Sequence, residues 1–168
     1  MINESREIEA YIGLGSNLGD RAQALRWAAA QIADLPGLRV LSRSRFYESA
    51  AQETDIAQPP FLNAVLRVAT TLSPFELLAQ LQQIEHEGGR RRLPGIRNAP
   101  RVLDLDLLLY GDLHLETEAL VLPHPRILNR AFVVLPLCEL GLEQLNGVRL
   151  ASLRFDEASM ARPVSTLW

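Results

Sequence analysis

The chain of 168 residues contains no lysine, and all 17 of its basic residues are arginines. This absence excludes several enzyme classes, because Walker A loops, protein kinases and Schiff-base enzymes each need a lysine side chain. The single cysteine, Cys138, cannot form a disulfide within the chain and suits a reducing compartment. We therefore expect a cytoplasmic protein outside the lysine-dependent enzyme classes.

Long apolar runs and a strong charge bias are also missing. No stretch approaches the ~20 apolar residues that span a bilayer, and the N-terminal segment lacks the apolar core of a signal peptide. The net charge of −3 and the pI near 5.6 predict neither a nucleic-acid partner nor a membrane surface. Because 48% of the residues are hydrophobic, one packed core is expected, and residues 1–168 are predicted to form a single domain.

Residues 101–110, Arg-Val-Leu-Asp-Leu-Asp-Leu-Leu-Leu-Tyr, are predicted to form a strand. Asp104 and Asp106 then point the same way, roughly 6.5–7 Å apart at the backbone. Two adjacent carboxylates repel each other unless a cation lies between them, and Mg²⁺ prefers such oxygen ligands, completed by water and phosphate. We predict a magnesium site here; the alternative is a strand whose polar face is solvated. The opposite face is expected to carry Leu103, Leu105, Leu107 and Leu109.

Arginines are concentrated directly before this strand, in a stretch that is also rich in glycine and proline. Glycine and proline at this density break helices and strands, so residues 88–100 are predicted to form a long loop. Arginine forks bind phosphate oxygens in pairs, and a loop that closes over them would exclude water. A solvated basic surface loop is the alternative. The five arginines are Arg90, Arg91, Arg92, Arg97 and Arg101.

The remaining pattern predicts an α+β fold, a sheet with helices on its faces. Asp20 is a candidate cap for the first helix, and Ser73-Pro74-Phe75-Glu76 is a capping box that begins the second. Apolar periodicity extends these helices to about residues 35 and 86, and predicts a third helix at 130–140. Strands are predicted at 8–15, 40–47, 61–70, 101–110 and 113–115.

Six short motifs lie between residue 11 and about residue 140. They are Tyr-Ile-Gly-Leu-Gly-Ser-Asn-Leu-Gly-Asp-Arg at 11–21, Phe-Tyr-Glu at 46–48, Gln-Pro-Pro-Phe-Leu-Asn-Ala at 58–64, Ile-Glu with Gly-Arg within 84–90, Ala-Pro-Arg with Leu-Asp-Leu-Asp within 99–106, and Leu-Pro-His-Pro-Arg with Asn-Arg-Ala-Phe within 122–132. In content and order they resemble the 6-hydroxymethyl-7,8-dihydropterin pyrophosphokinases of folate biosynthesis. The resemblance implies a ferredoxin-like fold with a mixed, mainly antiparallel sheet. It also implies transfer of the β,γ-diphosphate of ATP to the pterin hydroxymethyl group, with release of AMP.

The resemblance further implies roles for residues at matching positions. Asp104 and Asp106 correspond to the ligands of two Mg²⁺ ions, and Arg101 with one or both of Arg90 and Arg92 to phosphate clamps. The positions that match an ATP site are Gln82, Glu85, His124 and Arg130. The positions that match a pterin site are Ser49, Phe61, Asn63 and Phe132. The two phenylalanines are expected to sandwich the ring, and the asparagine to offer it a donor and an acceptor.

Several alternatives remain open at this stage. His124 lies between two prolines and could be a turn residue, Phe61 and Phe132 could be core aromatics, and Glu85 could lie on the exposed side of its helix. The chain also departs from the family pattern at Asn98, where many relatives carry an aromatic residue. A two-metal phosphate-ester hydrolase and an inactive pterin- or nucleotide-binding paralogue are the alternative functions. The chain is expected to be a monomer.

Overall fold

The computed structural model describes residues 6–52, 54, 56–89 and 100–168. Arg90 and Arg92, and with them most of the predicted arginine loop, lie outside the described residues. The helices are α1 (Arg21–Ala33), α2 (Pro74–Glu87) and α3 (Ala131–Glu139), with short 3₁₀ turns at Ile127–Asn129 and Leu150–Ser152. The strands are β1 (Ile8–Ser16), β2 (Leu38–Arg43), β3 (Tyr47–Ser49), β4 (Phe61–Thr70), β5 (Asp104–Tyr110), β6 (Leu115–Glu116), β7 (Val121–Leu122), β8 (Gln144–Leu145), β9 (Val148–Arg149) and β10 (Ala161–Pro163).

The main sheet has the strand order β10-β3-β4-β1-β5, and β2 pairs with β4 beyond the end of β3. Among the described strands, every pairing in this sheet is antiparallel. Six elements follow one another along the chain as β1-α1-β2-β4-α2-β5, and their strands lie side by side in the order β5-β1-β4-β2. This is the ferredoxin-like arrangement. The predicted α+β fold with a mainly antiparallel sheet is therefore confirmed.

The helices cover both faces of this sheet. One apolar cluster joins the buried stripes of α1 and α2 to β1, β4 and β5, and a second cluster joins α3 to the opposite face. Asp20 caps α1 by accepting a bond from the Gln23 amide, and the predicted capping box of Ser73 and Glu76 is present on α2. No helix in the described part of the chain has the length and apolar character that crossing a membrane requires.

Three predicted strands differ clearly from the structure, and the shortest of them, predicted at 113–115, lies at Leu115–Glu116. The predicted strand at 40–47 is two strands, because the Ser44 hydroxyl accepts the bond of the Val65 amide at 2.9 Å and interrupts the ladder between β2 and β3. The predicted strand at 101–110 begins only at Asp104. The backbone of Arg101 bonds to Asn17 and not to a neighbouring strand.

The prediction that Leu109 lies with Leu103, Leu105 and Leu107 was wrong. The pairing of β1 with β5 shifts register where Tyr11 faces Leu109, so β5 contains one extra residue. Beyond this irregularity the side chains change faces. The first three leucines pack under α1 and α2, whereas Leu109 packs in the cluster with α3.

Candidate active site

Four strands bring a row of residues to the α3 face of the sheet. Tyr47 of β3 pairs with Asn63 of β4, which pairs with Gly15 of β1, which in turn pairs with Asp104 of β5. Directly paired residues share a face, so Asn63 and Asp104 flank Gly15 from two sides. Adjacent strands are ~4.8 Å apart, which separates the two flanking backbones by about 9.6 Å. Because Gly15 has no side chain, the row has a gap at this position, which is buried beneath neighbours that include Asn63 and Phe61.

The aromatic cleft is a depression that Asp104, at the end of this row, helps to line. It collects six of the thirteen residues that the sequence predicted for the site, from β3, β4, β5, α3 and the segments that precede β5 and α3. Phe61 comes from β4 and Phe132 from α3, and the Arg130 guanidinium carbon lies 5.5 Å from the centre of the Phe132 ring. The lining residues are Ser49, Ala50, Gln52, Phe61, Arg101, Asp104, Arg130 and Phe132.

Asn63 is buried between β3 and the gap, with an exposed fraction of 4%. Its side-chain Nδ2 donates to the Tyr47 carbonyl oxygen at 3.2 Å and to the Ser49 hydroxyl at 2.9 Å. A Cβ on Gly15 would lie 3.4 Å from Asn63 Oδ1, so the amide oxygen faces the gap. The structure therefore uses the amide donors to hold β3 and leaves the acceptor oxygen next to Gly15.

Arg101 and Asp104 form an ion pair at the edge of the aromatic cleft. The guanidinium nitrogen lies 2.8 Å from the carboxylate oxygen, and the two side chains are 19% and 21% exposed. Asn17 holds the backbone of this arginine through two hydrogen bonds. The side-chain Oδ1 of Asn17 accepts from the backbone amide of Arg101 at 2.8 Å, and the backbone amide of Asn17 donates to the Arg101 carbonyl at 3.0 Å. The position of the guanidinium thus depends on a residue that follows β1.

Asn17 also holds the segment that precedes β4, and it is only 2% exposed. Its Nδ2 donates to Gln58 Oε1 at 2.7 Å and to the Pro59 carbonyl at 3.0 Å. Sequence reasoning missed this role, because the partners lie 41 to 84 residues away along the chain. The sequence signal at this position is the motif at residues 11–21, which does not reveal these partners.

The second carboxylate, Asp106, lines a different depression, the His124 cleft. Leu105 separates the two aspartates and is 4% exposed, so the carboxylates lie on one face of β5, and the two residues line two different clefts. The walls of the second cleft are mainly apolar and come from α2, β5 and the segment that leads to His124. They are Leu78, Leu105, Asp106, Leu107, Glu118, Ala119, Leu120, Val121, His124 and Pro125.

Two hydrogen bonds to the backbone hold His124, one through its main-chain amide and one through its ring. Its amide donates to the Leu108 carbonyl at 2.9 Å, and its Nδ1 accepts from the Arg126 amide at 3.2 Å. Burial lowers the pKa of His124 to about 4, the positive charges of Arg130 and Arg126 act in the same direction, and Asp104 acts in the opposite one. The imidazole is therefore neutral near pH 7, and because Nδ1 accepts, Nε2 carries the proton as a donor.

This neutral histidine predicts a loss of stability in mild acid. The unfolded chain binds the proton below about pH 6.5, whereas the folded chain does so only near pH 4. Stability is therefore fully present above about pH 6.5 and falls as the pH is lowered toward 4. Thermal melts at about pH 7.5 and pH 5 test this prediction. Between the two pH values, the melting temperature of His124→Gln should fall by less than that of the parent. His86→Gln, on the exposed side of α2, is the control, and its melting temperature should fall as much as that of the parent. Equal drops in all three proteins would contradict the pKa of His124.

The two predicted ATP-site residues of α2 differ in exposure. Glu85 is 4% exposed and accepts a bond from the Leu105 amide at 3.2 Å, so it anchors α2 to β5 between the two aspartates. The alternative that Glu85 lies on the exposed side of the helix was wrong. Gln82 is exposed. Neither residue lines the aromatic cleft or the His124 cleft as the described residues form them.

Fold and site together define a ferredoxin-like domain with a carboxylate–arginine centre beside an aromatic cleft. The sequence model described as 7,8-dihydro-6-hydroxymethylpterin-pyrophosphokinase (HPPK) matches residues 11–142. The chain is also 45% identical over 131 residues to the 2-amino-4-hydroxy-6-hydroxymethyldihydropteridine pyrophosphokinase of Bacillus subtilis (strain 168), covering 78% of this chain and 77% of the relative. The chain therefore belongs to the 7,8-dihydro-6-hydroxymethylpterin-pyrophosphokinase family.

Two longer proteins contain a similar domain. The chain is 44% identical over 138 residues to a mitochondrial folate synthesis bifunctional protein of Arabidopsis thaliana, covering 82% of this chain but 24% of the relative. A crystal structure of Plasmodium falciparum HPPK-DHPS A437G with STZ-DHP aligns with a TM-score of 0.68 at 14% identity, over 90% of this chain and 46% of that chain. The chain thus spans about a quarter of the Arabidopsis thaliana protein and less than half of the Plasmodium falciparum chain. The structural match shows that the fold is shared.

Proposed function

We propose that this chain transfers the β,γ-diphosphate of ATP to the hydroxymethyl group of 6-hydroxymethyl-7,8-dihydropterin and releases AMP, as a step of folate biosynthesis. Residues 1–168 would act as one pyrophosphokinase domain. Family membership supports this function. The observation that carries it is the aromatic cleft, which combines two phenylalanine walls with the Arg101–Asp104 pair. A flat ring and a phosphate-bearing group would both find complementary side chains there.

The aromatic cleft is the proposed pterin site. Phe61 and Phe132 would stack on the two faces of the ring, a contact worth about 0.5–1.5 kcal/mol beyond buried area. Asn63 would accept a hydrogen bond from a ring N–H through Oδ1, because its Nδ2 donates to β3. Ser49 lies opposite Phe61 in the sheet and would contact the same edge of the ring.

Asp104 and Asp106 are the proposed ligands of two Mg²⁺ ions. The residues fit this group, since both carboxylates are half-buried on one face of β5 and Asp104 already attracts the cationic Arg101. The described residues contain no cluster of three or more His, Cys, Asp or Glu side chains. A site with two carboxylates suits Mg²⁺, which takes its remaining ligands from water and phosphate. When bound, Mg²⁺ would neutralise charge that develops on the phosphates.

The chain's own cations and donors would orient the ATP phosphates. Arg101 would exchange its carboxylate partner for phosphate oxygens, which its planar fork binds in pairs. Arg130, at the rim of the aromatic cleft, would contribute a second guanidinium. His124 would donate through Nε2 to the nucleotide. Arg90 and Arg92 remain proposed clamps, with a role predicted only by resemblance.

The His124 cleft is the proposed site for the rest of the nucleotide. Its leucine walls from α2 and β5 would accommodate an adenine ring, and Asp106 also lines it. The exposed Gln82 and the buried Glu85, both of α2, remain proposed ATP contacts. The two aspartates would then lie between the nucleotide and the pterin, where the diphosphate would pass from ATP to the pterin hydroxymethyl group.

We also propose a monomer in the cytoplasm. Cys138 is a half-buried thiol whose pKa is raised by burial, and such a thiol suits a reducing compartment. Sedimentation at micromolar concentration tests the oligomeric state.

Formation of AMP tests the proposed reaction against its two alternatives. The protein is incubated with ATP and Mg²⁺, with and without 6-hydroxymethyl-7,8-dihydropterin. The proposal expects AMP only when the pterin is present. AMP or phosphate without pterin would favour a two-metal hydrolase, and pterin binding without AMP would favour an inactive paralogue.

Gly15→Ala should weaken pterin binding while the fold stays intact. The new methyl group would lie 3.4 Å from Asn63 Oδ1 and 3.6 Å from Phe61 Cδ1, which the packing tolerates, but it would fill the gap beside Asp104. We expect Kd for pterin to rise about tenfold, or roughly 1.4 kcal/mol. Gly13→Ala is the matched control, because its methyl group would face Leu108 at 3.4 Å. Equal pterin affinity in both variants would contradict the role of the gap.

A further inference from the structure

Glu139 is a charged residue in an unfavourable place for its helix. It is the last residue of α3, where the carbonyl ends of the helix carry partial negative charge and disfavour a carboxylate. The helix bears no basic residue in its last turn to offset this charge. A glutamate in this position therefore needs partners from elsewhere in the fold.

Hydrogen bonds to Glu139 come from Arg45, which precedes β3, and from Tyr47, the first residue of β3. The Arg45 amide donates to both carboxylate oxygens at 3.1 Å, and the Arg45 Nε donates to one of them at 3.3 Å. The Tyr47 hydroxyl donates to the other at 2.8 Å. Burial raises the pKa of Tyr47, and the hydrogen bond to Glu139 raises it further, so the hydroxyl remains protonated. Four hydrogen bonds thus connect the end of α3 to the start of β3.

The opposite ends of the same helix and strand form the aromatic cleft. Phe132 and Glu139 are about two turns apart on α3 and share a face, while Tyr47 and Ser49 alternate onto one face of β3. The helix and the strand therefore face each other through two sets of residues. Glu139 and Tyr47 form one set and are joined by a hydrogen bond, and Phe132 and Ser49 form the other and both line the cleft.

A small apolar cluster fills the space between the two sets. Tyr47, Ala131 and Ala161 are its buried members, and Phe132 packs against it. Leu135 and Phe155 also pack against this cluster, which is small because two of its three buried members are alanines. β10 pairs with the outer side of β3, with Pro163 opposite Tyr47.

We propose that Glu139 is a positioning residue for the aromatic cleft: by fixing the C-terminal end of α3 to residues 45–47, it sets the separation of Phe132 from the wall of Phe61 and Ser49. This inference rests on the proposed assignment of that cleft to the pterin. A planar ring tolerates little change in the spacing of its two stacking walls, because dispersion falls off steeply with a gap. Loss of the Glu139 bonds should therefore reduce pterin affinity, although Glu139 contacts neither ligand.

The test compares dissociation constants for the pterin and for a non-hydrolysable ATP analogue by calorimetric titration. Glu139→Ala should raise Kd for the pterin about threefold to tenfold, as expected when positioning hydrogen bonds are lost, and leave Kd for the ATP analogue within about twofold. Glu139→Gln, which keeps one acceptor, should show a smaller effect. Glu143→Ala, an exposed glutamate shortly after α3, is the matched control and should bind both ligands like the parent.

Tyr47→Phe shows whether the effect acts through the named bond. It removes only the hydroxyl. The double variant Tyr47→Phe/Glu139→Gln should raise Kd for the pterin by less than the product of the two single-variant increases, because both substitutions remove the same bond. If Glu139→Ala does not fold, these two milder variants decide the result. Multiplicative effects would contradict action through the Tyr47–Glu139 bond.

Two results would overturn the positioning role. One is a lower melting temperature with unchanged Kd for the pterin, and the other is an equal loss of both ligands; each would make Glu139 a residue of general stability. Phe132→Ala, measured in parallel, distinguishes this failure from failure of the cleft assignment. If Phe132→Ala weakens pterin binding and Glu139→Ala does not, only the positioning role is wrong. If neither variant weakens it, the assignment of the cleft fails as well.

Discussion

Asp106→Asn and Asp104→Asn should each reduce kcat by at least about 10³-fold, because the account places the charge stabilisation of the transferred phosphates on these two carboxylates. The fold should persist. Both side chains are only half-buried, and an amide removes the mutual repulsion of the pair. The measurement is pterin-dependent AMP formation at saturating ATP and Mg²⁺, with thermal melts of the same samples.

Asp106→Asn is the cleaner of the two variants. Asp104→Asn also removes the partner of Arg101, so part of its effect would come from a displaced guanidinium. Asp112→Asn, in the exposed turn after β5, is the matched control and should be as active as the parent. Near-normal turnover of Asp106→Asn would contradict the metal site.

Arg101→Gln should reduce kcat by about 10²–10³-fold, the usual loss when one preorganised donor to developing charge is removed. The substitution should leave the local backbone in place, because Asn17 holds the amide and the carbonyl of this residue and does not contact its side chain through these bonds. Arg101→Lys should recover little activity, since an ammonium group cannot bind two oxygens as a planar fork does.

Steady-state kinetics with varied ATP provides the measurement for Arg101. Arg149→Gln, on the exposed strand β9, is the control for a general loss of positive charge. An unchanged kcat with an altered melting temperature would show that Arg101 only neutralises Asp104.

Much of the fold was predictable because it follows from local signals. Capping at Asp20 and Ser73 determined where α1 and α2 begin, and apolar periodicity indicated the strands around them. The errors arose where a side chain far along the chain replaces a backbone partner. Ser44 interrupts one predicted strand through Val65, and the extra residue in β5 depends on its pairing with β1.

The candidate site was predictable as a set of residues but not as an arrangement. The motif resemblance selected Ser49, Phe61, Arg101, Asp104, Arg130 and Phe132, and the structure brings these six to one cleft. The motif resemblance gave no sign that Asn17 holds Arg101, or that Glu139 connects α3 to β3. Those contacts join residues 84 and 94 positions apart, so only the folded sheet brings them together.

The most direct test of the central claim follows the two terminal phosphates of ATP during one turnover. ATP labelled separately at the β- and γ-phosphorus is mixed with Mg²⁺, excess protein and 6-hydroxymethyl-7,8-dihydropterin, and the products are separated. The account predicts that both labels appear on the pterin in equal amounts while the AMP formed is unlabelled. Transfer of the γ-label alone with formation of ADP, or release of either label as free phosphate, would contradict it.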